Sequence, residues 1–133
     1  MSIQTWPLQT ADAECYDMVL HLVGAGAGAI PTIPTTENAH GISIARTSAG
    51  LYTLTFGEEP GPFFMGLSGA FGAALPVTNA GWSATSGVYT ARSGGTKATL
   101  VIGTQNSTFA GADMAVGSYC FITMTFKLAS PRL

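Results

Sequence analysis

The feature that most constrains the fold is an alternation of apolar and polar side chains with a period of two residues. In Tyr119–Leu128 every second residue is apolar, and Thr123, Thr125 and Lys127 take the other face. Glu14–Val23 shows the same alternation near the start of the chain. Because successive side chains of a β-strand point to opposite faces, both segments are predicted to be half-buried strands.

Four shorter runs rich in Thr, Val, Ile and Tyr indicate further strands. They are Ile42–Thr47, Leu51–Phe56, Val88–Arg92 and Ala98–Thr104. No window of a dozen residues predicts a helix, and the 17 glycines and 7 prolines interrupt the chain as turns between strands do. The sequence therefore predicts an all-β chain, an antiparallel β-sandwich that is jelly-roll-like, with the long first and last strands central in their sheets.

Two hairpins are predicted from turns that contain glycine. Ser48-Ala49-Gly50 separates two alternating runs, and Gly50 stands where a three-residue hairpin needs a left-handed backbone. Ser93-Gly94-Gly95-Thr96 is expected to join the Val88–Arg92 strand to the next one. We expect a β-branched residue at position 50 to disturb the first hairpin more than any other single change in it.

The length of 133 residues suits one domain with its own core. We divide the chain into an N-terminal arm, residues 1–13, and a single β-sandwich domain, residues 14–133. Gly24–His40 and Glu58–Ala80 are predicted to be long connections, a kind of segment that often carries function. The first residues lack a basic region followed by an apolar core, so we expect no secretory signal.

Charged residues are unusually rare, at 9% against about 25% in a typical soluble domain, while 47% of the residues are hydrophobic. The apolar stretches are too short and too rich in glycine for a membrane helix, so we expect no membrane partner. The net charge of −2 provides no basic field for nucleic acid. We therefore expect much of the surface to be covered by other protein subunits.

The few charges are distributed unevenly along the chain. Residues 1–60 contain 6 acidic residues and 1 arginine, whereas residues 61–133 contain 4 basic residues and 1 acidic residue. Two explanations of this asymmetry stay open at the level of sequence: like subunits that meet head-to-tail around a ring, or two solvated faces of one sandwich.

No catalytic, cofactor-binding or metal-binding site is predicted, so we expect a non-enzymatic protein. The Gly-Ala run at residues 24–29 matches a dinucleotide fingerprint, but Pro31 and Pro34 prevent the helix that would bind the pyrophosphate. Cys15 and His21 share one strand face, yet about 20 Å of strand would separate them, beyond reach for a nucleophile and its base. The two Cys and two His have no zinc-ligand spacing.

Candidate contacts with other subunits come from two groups of apolar residues, one in the N-terminal arm and one in the long Gly-rich connection. Exposed aromatic residues dominate the energetics of many protein interfaces. The alternative is that the same side chains fill the core of their own domain. The candidates are Trp6, Pro7, Leu8, Phe63, Phe64 and Phe71.

The first hairpin also carries a resemblance to small phage-encoded structural proteins. In Ile44–Thr55 an Arg-Thr pair, two small residues and a glycine precede Leu-Tyr-Thr, which is similar to a segment of those proteins. Asp113–Ser118, before a long Thr-rich strand, is similar to their C-terminal part. The nearest family is that of the capsid decoration (cement) proteins.

The resemblance implies a virion protein, synthesised in the host cytoplasm, that forms trimers on the outer surface of the capsid. It would stabilise contacts between subunits of the major capsid protein. A second function stays open: a phage tail or fibre module that recognises a host surface carbohydrate through Trp82 and the long connections.

Overall fold

The computed structural model describes residues 15–35, 38, 41–73 and 82–127, which form seven β-strands and no α-helix. The all-β prediction is thereby confirmed. The predicted run Val88–Arg92 overlaps a strand that begins earlier, at Ser83, and the strand Phe63–Ala73 was not predicted. The strands are β1 (Cys15–Val23), β2 (Ser43–Ser48), β3 (Leu51–Thr55), β4 (Phe63–Ala73), β5 (Ser83–Thr90), β6 (Thr99–Gln105) and β7 (Ser118–Lys127).

The strands form two antiparallel sheets that pack face to face as a β-sandwich. Sheet A has the order β1-β7-β4, and sheet B has the order β2-β3-β6-β5. Strand β7 is central as predicted, but β1 lies at an edge of sheet A among the described strands, which corrects the prediction for the first strand. The jelly-roll-like order is not confirmed: sheet B consists of two hairpins, β2-β3 and β5-β6, joined by pairing of β3 with β6.

The core lies between the sheets and follows the period of two. The inward residues of β1 and β7 are buried, and those of β3 and β6 meet them from the other sheet. Burial of this apolar surface stabilises the fold by roughly 25 cal/mol per Å². The largest contributors include Leu20, Leu22, Tyr52, Leu54, Leu100, Ile102, Ile122, Met124 and Phe126.

Strand β4 corrects the prediction that residues 58–80 are a connection throughout. It pairs with β7 along its whole length, with a register shift between Phe64 and Gly66. Its outward positions opposite β7 include glycine, serine and alanine, so the apolar alternation that marks a strand is weak here. Glycine is depleted in strands, and long-range pairing with β7 overrides that local preference.

Both predicted hairpins are present. In the first, Ser48 pairs with Leu51 and Gly50 has a φ of 68°, which confirms the left-handed glycine. The turn is one residue shorter than predicted because β2 continues to Ser48 through a register shift after Arg46. In the second, the backbone groups of Ser93 and Thr96 exchange two hydrogen bonds of 2.9 and 3.1 Å.

Candidate functional site

The antiparallel strands bring the loops of the sandwich to two opposite ends, which differ in chemistry. One end, here called the Asp113 end, contains among the described residues 24–32 after β1, the turn at 49–50 and 106–117 before β7. The other, here called the charged end, consists of residues 56–62 and 91–98 with the nearby ends of β1 and β7. The Asp113 end is the candidate site.

Asp113 connects the three segments of its end through one carboxylate. Its oxygens accept hydrogen bonds from the backbone amides of Gly28 at 2.8 Å and Gly50 at 2.9 Å, and from the Tyr52 hydroxyl at 2.9 Å. Arg46 Nε lies 3.1 Å from each oxygen, and Arg46 Nη2 lies 2.9 Å from Oδ2. A single side chain therefore connects two turns and two strands, β2 through Arg46 and β3 through Tyr52.

The pair formed by Asp113 and Arg46 is largely removed from water, with side chains 5% and 27% exposed. Burial alone raises the pKa of the Asp113 carboxyl, but the hydrogen bonds from Arg46 and from the Gly50 and Gly28 amides outweigh it and hold the pKa well below its usual range. Burial, followed by the hydrogen bond to Asp113, raises the pKa of Tyr52 to about 12. Asp113 and Arg46 therefore neutralise each other's charge. Asp113 with its partners Gly28, Arg46, Gly50 and Tyr52 is called the Asp113 hub below.

Backbone hydrogen bonds hold the same segments together around the hub. Thr104 donates its amide to the Gly50 carbonyl at 2.7 Å, and Ala112 donates to the Thr104 carbonyl at 3.1 Å. Gly26 donates to the Met114 carbonyl at 3.0 Å, which joins the first loop to the last. A Cβ atom on Gly50 would clash with backbone atoms of Ala112 and Thr104, so the turn and the loop approach as closely as glycine allows.

Exposed apolar side chains occur on this end and continue onto the outer face of sheet A. On that face His21 stacks on Phe121 with ring centroids 4.4 Å apart, and Tyr119 meets both rings edge-on. Both Tyr119 and Phe121 keep more than a third of their surface exposed. The exposed apolar residues of the end and the adjoining face include Val19, Ile30, Leu51, Phe109, Val116, Tyr119 and Phe121.

Charges are segregated between the two ends. Within the described part of the chain, the charged side chains other than the Arg46–Asp113 pair lie at or near the charged end: Asp17, Glu58, Glu59, Arg92, Lys97 and Lys127. There, for example, the Arg92 amide donates to Glu59 Oε2 at 2.6 Å. Acidic residues of the first half of the chain and basic residues of the second half meet at one end, so in the described residues they do not form two faces of opposite sign.

The predicted contact residues fall in different environments. Trp6, Pro7 and Leu8 lie outside the described residues. Phe63 is 40% exposed and lies near the charged end, opposite Lys127 in the β4–β7 register. Phe64 and Phe71 are partly buried and pack against the core, where Phe64 contacts Phe126. Trp82 also packs against the core, with its ring 6.1 Å from that of Phe71.

The residues that organise the candidate site were not predicted from sequence. Arg46, Tyr52 and Asp113 belong to the two segments that carry the phage resemblance, but nothing in their spacing indicates that they meet. The available signal was chemical: a single Asp in an otherwise uncharged run of residues 98–126, and a single Arg in an uncharged hairpin. A buried charge normally requires a partner, so these two were candidates for each other.

The residues of the dinucleotide, nucleophile and metal sites that the sequence argues against have defined positions in the fold. The Gly-Ala run forms a loop in which the Gly28 amide binds the Asp113 carboxylate. Cys15 and Cys120 are free thiols on opposite faces of sheet A: Cys15 pairs with Lys127, and Cys120 with Leu22 near the other end. Burial raises the pKa of Cys120 to about 12, which disfavours the reactive thiolate. Among residues 15–35, 38, 41–73 and 82–127, no three His, Cys, Asp or Glu residues form a group able to hold a metal ion.

Comparison of the chain with protein-family models, with curated proteins and with solved structures finds no match. In the part of the chain that the structure describes, no helix is long and apolar enough to cross a membrane.

Proposed function

We propose that the protein is a non-enzymatic virion structural protein, a capsid decoration protein that binds the outer surface of the capsid through its Asp113 end. In this position it stabilises contacts between subunits of the major capsid protein. The charged end faces solvent. The observation that carries the proposal is the segregation of charge between the two ends of the sandwich.

The charge distribution suits this orientation because an interface must lose its water. The centres of protein interfaces are depleted in charged residues and enriched in aromatic ones. At the Asp113 end the described charges are one ion pair that satisfies itself within the domain, and the exposed side chains include Phe109 and Val116. Removing water from this surface therefore costs little free energy. Burying Glu58 and Lys97 at the other end would cost more, because it would strip the water from exposed charges.

The Asp113 hub supports binding in a second way, through rigidity. Loops that become ordered only on binding lose conformational entropy, which subtracts from affinity. Here residues 28, 50 and 113 are connected before any partner arrives, by hydrogen bonds of 2.8 and 2.9 Å. A decoration protein also binds in many symmetric copies, so modest contacts of one copy sum to a large effect on the shell. A homotrimer, as the resemblance implies, adds to this avidity.

The decisive experiment is co-sedimentation with empty shells assembled from the major capsid protein encoded nearest to this chain's gene. We expect the protein to sediment with the shells and to raise the temperature at which they disrupt. Size-exclusion chromatography with light scattering is expected to show a trimer. A protein that stays in the supernatant at micromolar concentration would show that the decoration role is wrong.

The tail or fibre alternative makes a different prediction. Binding to a glycan array that is abolished by Trp82→Ala, together with no binding to shells, would favour carbohydrate recognition. The thermal stability of Trp82→Ala must be measured in parallel, because Trp82 packs against Phe71 and the core and its loss will lower stability.

A further inference from the structure

Phe109 combines two properties that rarely occur together. Its side chain is 76% exposed, the largest value among the exposed large hydrophobic residues of the described chain. Its backbone has a φ of 63°, and within the described residues it is the one non-glycine residue with a positive φ. A bulky residue in the left-handed region is a conformational outlier, because its Cβ crowds the following carbonyl.

The loop around Phe109 imposes this conformation. Asn106 Oδ1 accepts hydrogen bonds from the Thr108 amide at 2.9 Å, the Thr108 hydroxyl at 2.7 Å and the Ala110 amide at 3.2 Å. The Phe109 amide donates to the Asn106 carbonyl at 2.9 Å, and Asn106 donates to Ala110 at 3.0 Å. Below the loop Gln105 and Gly111 form a bridge that connects it to β6.

The strain is not offset by packing of the Phe109 ring, since most of its surface faces water. Glycine or asparagine adopts this backbone more readily, and the chain uses glycine at the other described positions of positive φ. Strained residues that persist in a rigid setting are concentrated at functional sites. An exposed aromatic ring on a preorganised loop has the properties of an interface anchor, because little entropy is lost when it is buried.

We infer that Phe109 is the principal anchor of the Asp113 end and inserts into an uncharged apolar pocket on the capsid protein. The inference rests on the proposed function and names the contact that dominates it. A protein pocket is favoured over a lipid surface by charge: anionic headgroups attract Lys and Arg, and the described cation of this end, Arg46, is paired with Asp113. Val116 and Ile30, also exposed at this end, would form the surrounding contacts.

The experiment compares the wild type with Phe109→Asn and with the matched control Val88→Thr. Val88 is 70% exposed but lies on β5, away from the Asp113 end. Each protein is titrated against the capsid-protein shells in co-sedimentation, and its melting temperature is measured without shells. We expect Phe109→Asn to weaken shell binding at least about ten-fold, with a melting temperature equal to or above that of the wild type. Val88→Thr should bind as the wild type does.

The outcomes separate this inference from the proposed function. Wild-type and Phe109→Asn proteins that bind shells equally well would overturn the anchor and leave the decoration role standing. A wild type that does not bind shells would overturn both. A lower melting temperature of Phe109→Asn would show that the ring serves the fold and would also overturn the anchor. Phe109-dependent sedimentation with vesicles of phosphatidylcholine and phosphatidylserine, without shell binding, would replace the protein pocket by a membrane.

Discussion

The two ends of the sandwich carry hairpins of the same kind but use them differently. Each has a turn with a left-handed glycine, Gly50 with a φ of 68° at the Asp113 end and Gly94 with a φ of 58° at the charged end. Each also has a carboxylate that accepts a hydrogen bond from a backbone amide, Asp113 with a side chain only 5% exposed and Glu59 in solvent.

The comparison shows that one fold places exposed charges at one end and a single shielded ion pair at the other. At the charged end, the exposed groups Glu58, Glu59, Arg92 and Lys97 keep the surface hydrated, and their individual contributions to stability are small. Lys127, at the end of β7, is by contrast only 6% exposed. At the Asp113 end, the described charges are one ion pair, with Asp113 shielded and Arg46 partly exposed, and the Asp113 carboxylate also holds the loops in place. The end that is poor in charge is therefore the one whose loops meet at a single carboxylate.

The largest expected effect is that of Gly50→Val, with Gly94→Val as its control. A Cβ at position 50 meets backbone atoms of Ala112 and Thr104, whereas a Cβ at position 94 meets nothing within 4 Å. Both changes place a β-branched residue in the left-handed region, so we expect about 2 kcal/mol of destabilisation at 94 and about 4 kcal/mol or more at 50. Urea unfolding at neutral pH measures both. Equal losses, or an unchanged Gly50→Val protein, would show that the close approach of turn and loop has no energetic role.

The second effect concerns the two carboxylates. Asp113→Ala leaves Arg46 without its partner and removes the acceptor of the Gly50 amide, so we expect a loss of about 3 kcal/mol in the free energy of unfolding. Glu59→Gln at the charged end should change it by less than about 0.5 kcal/mol, because its contact with Arg92 is exposed. If both variants lose similar amounts in urea unfolding, the contrast between a buried and a solvated carboxylate is wrong.

The third effect, of about 1 kcal/mol, is the acid dependence of stability. The Asp113 pKa is lowered in the folded state, so below about pH 4, the unfolded value, the unfolded chain binds a proton that the folded protein does not. The contribution of Asp113 is therefore complete above about pH 5 and falls as the pH is lowered toward the folded pKa. Between about pH 5 and pH 3 the wild type should lose about 1 kcal/mol more than Asp113→Ala in urea unfolding. Parallel curves for the two proteins would contradict this assignment.

The smallest effect on stability is expected for Phe63→Ser. Phe63 is exposed near the charged end, so its replacement should cost less than about 1 kcal/mol. Because Phe63 is a predicted contact between subunits, its replacement should instead shift the proposed trimer toward smaller species in light scattering, while the proposed shell binding through Phe109 should not change per copy. A Phe63→Ser protein that loses shell binding more strongly than Phe109→Asn would reverse the roles assigned to the two ends.

The sequence by itself determined the elements whose signal is local. The alternation in β1 and β7 and the glycines of the two hairpins predict strands and turns, because side-chain direction and left-handed backbone depend on neighbouring residues. Strand β4 was missed because its small residues carry no such alternation, and only pairing with β7 makes it a strand. The low content of charged residues predicts that other subunits cover part of the surface, but it does not indicate which part.

The tertiary structure alone decided where the charges and the site lie. Asp113 meets Gly28, Arg46 and Gly50, which precede it in the chain by 85, 67 and 63 residues. Along the chain the acidic and basic residues occupy different halves, yet in the fold Asp17 and Glu59 lie near the same end as Arg92 and Lys127. The physical reason is the antiparallel topology: each strand reverses the chain, so loops from distant parts of the sequence gather at each end of the sandwich.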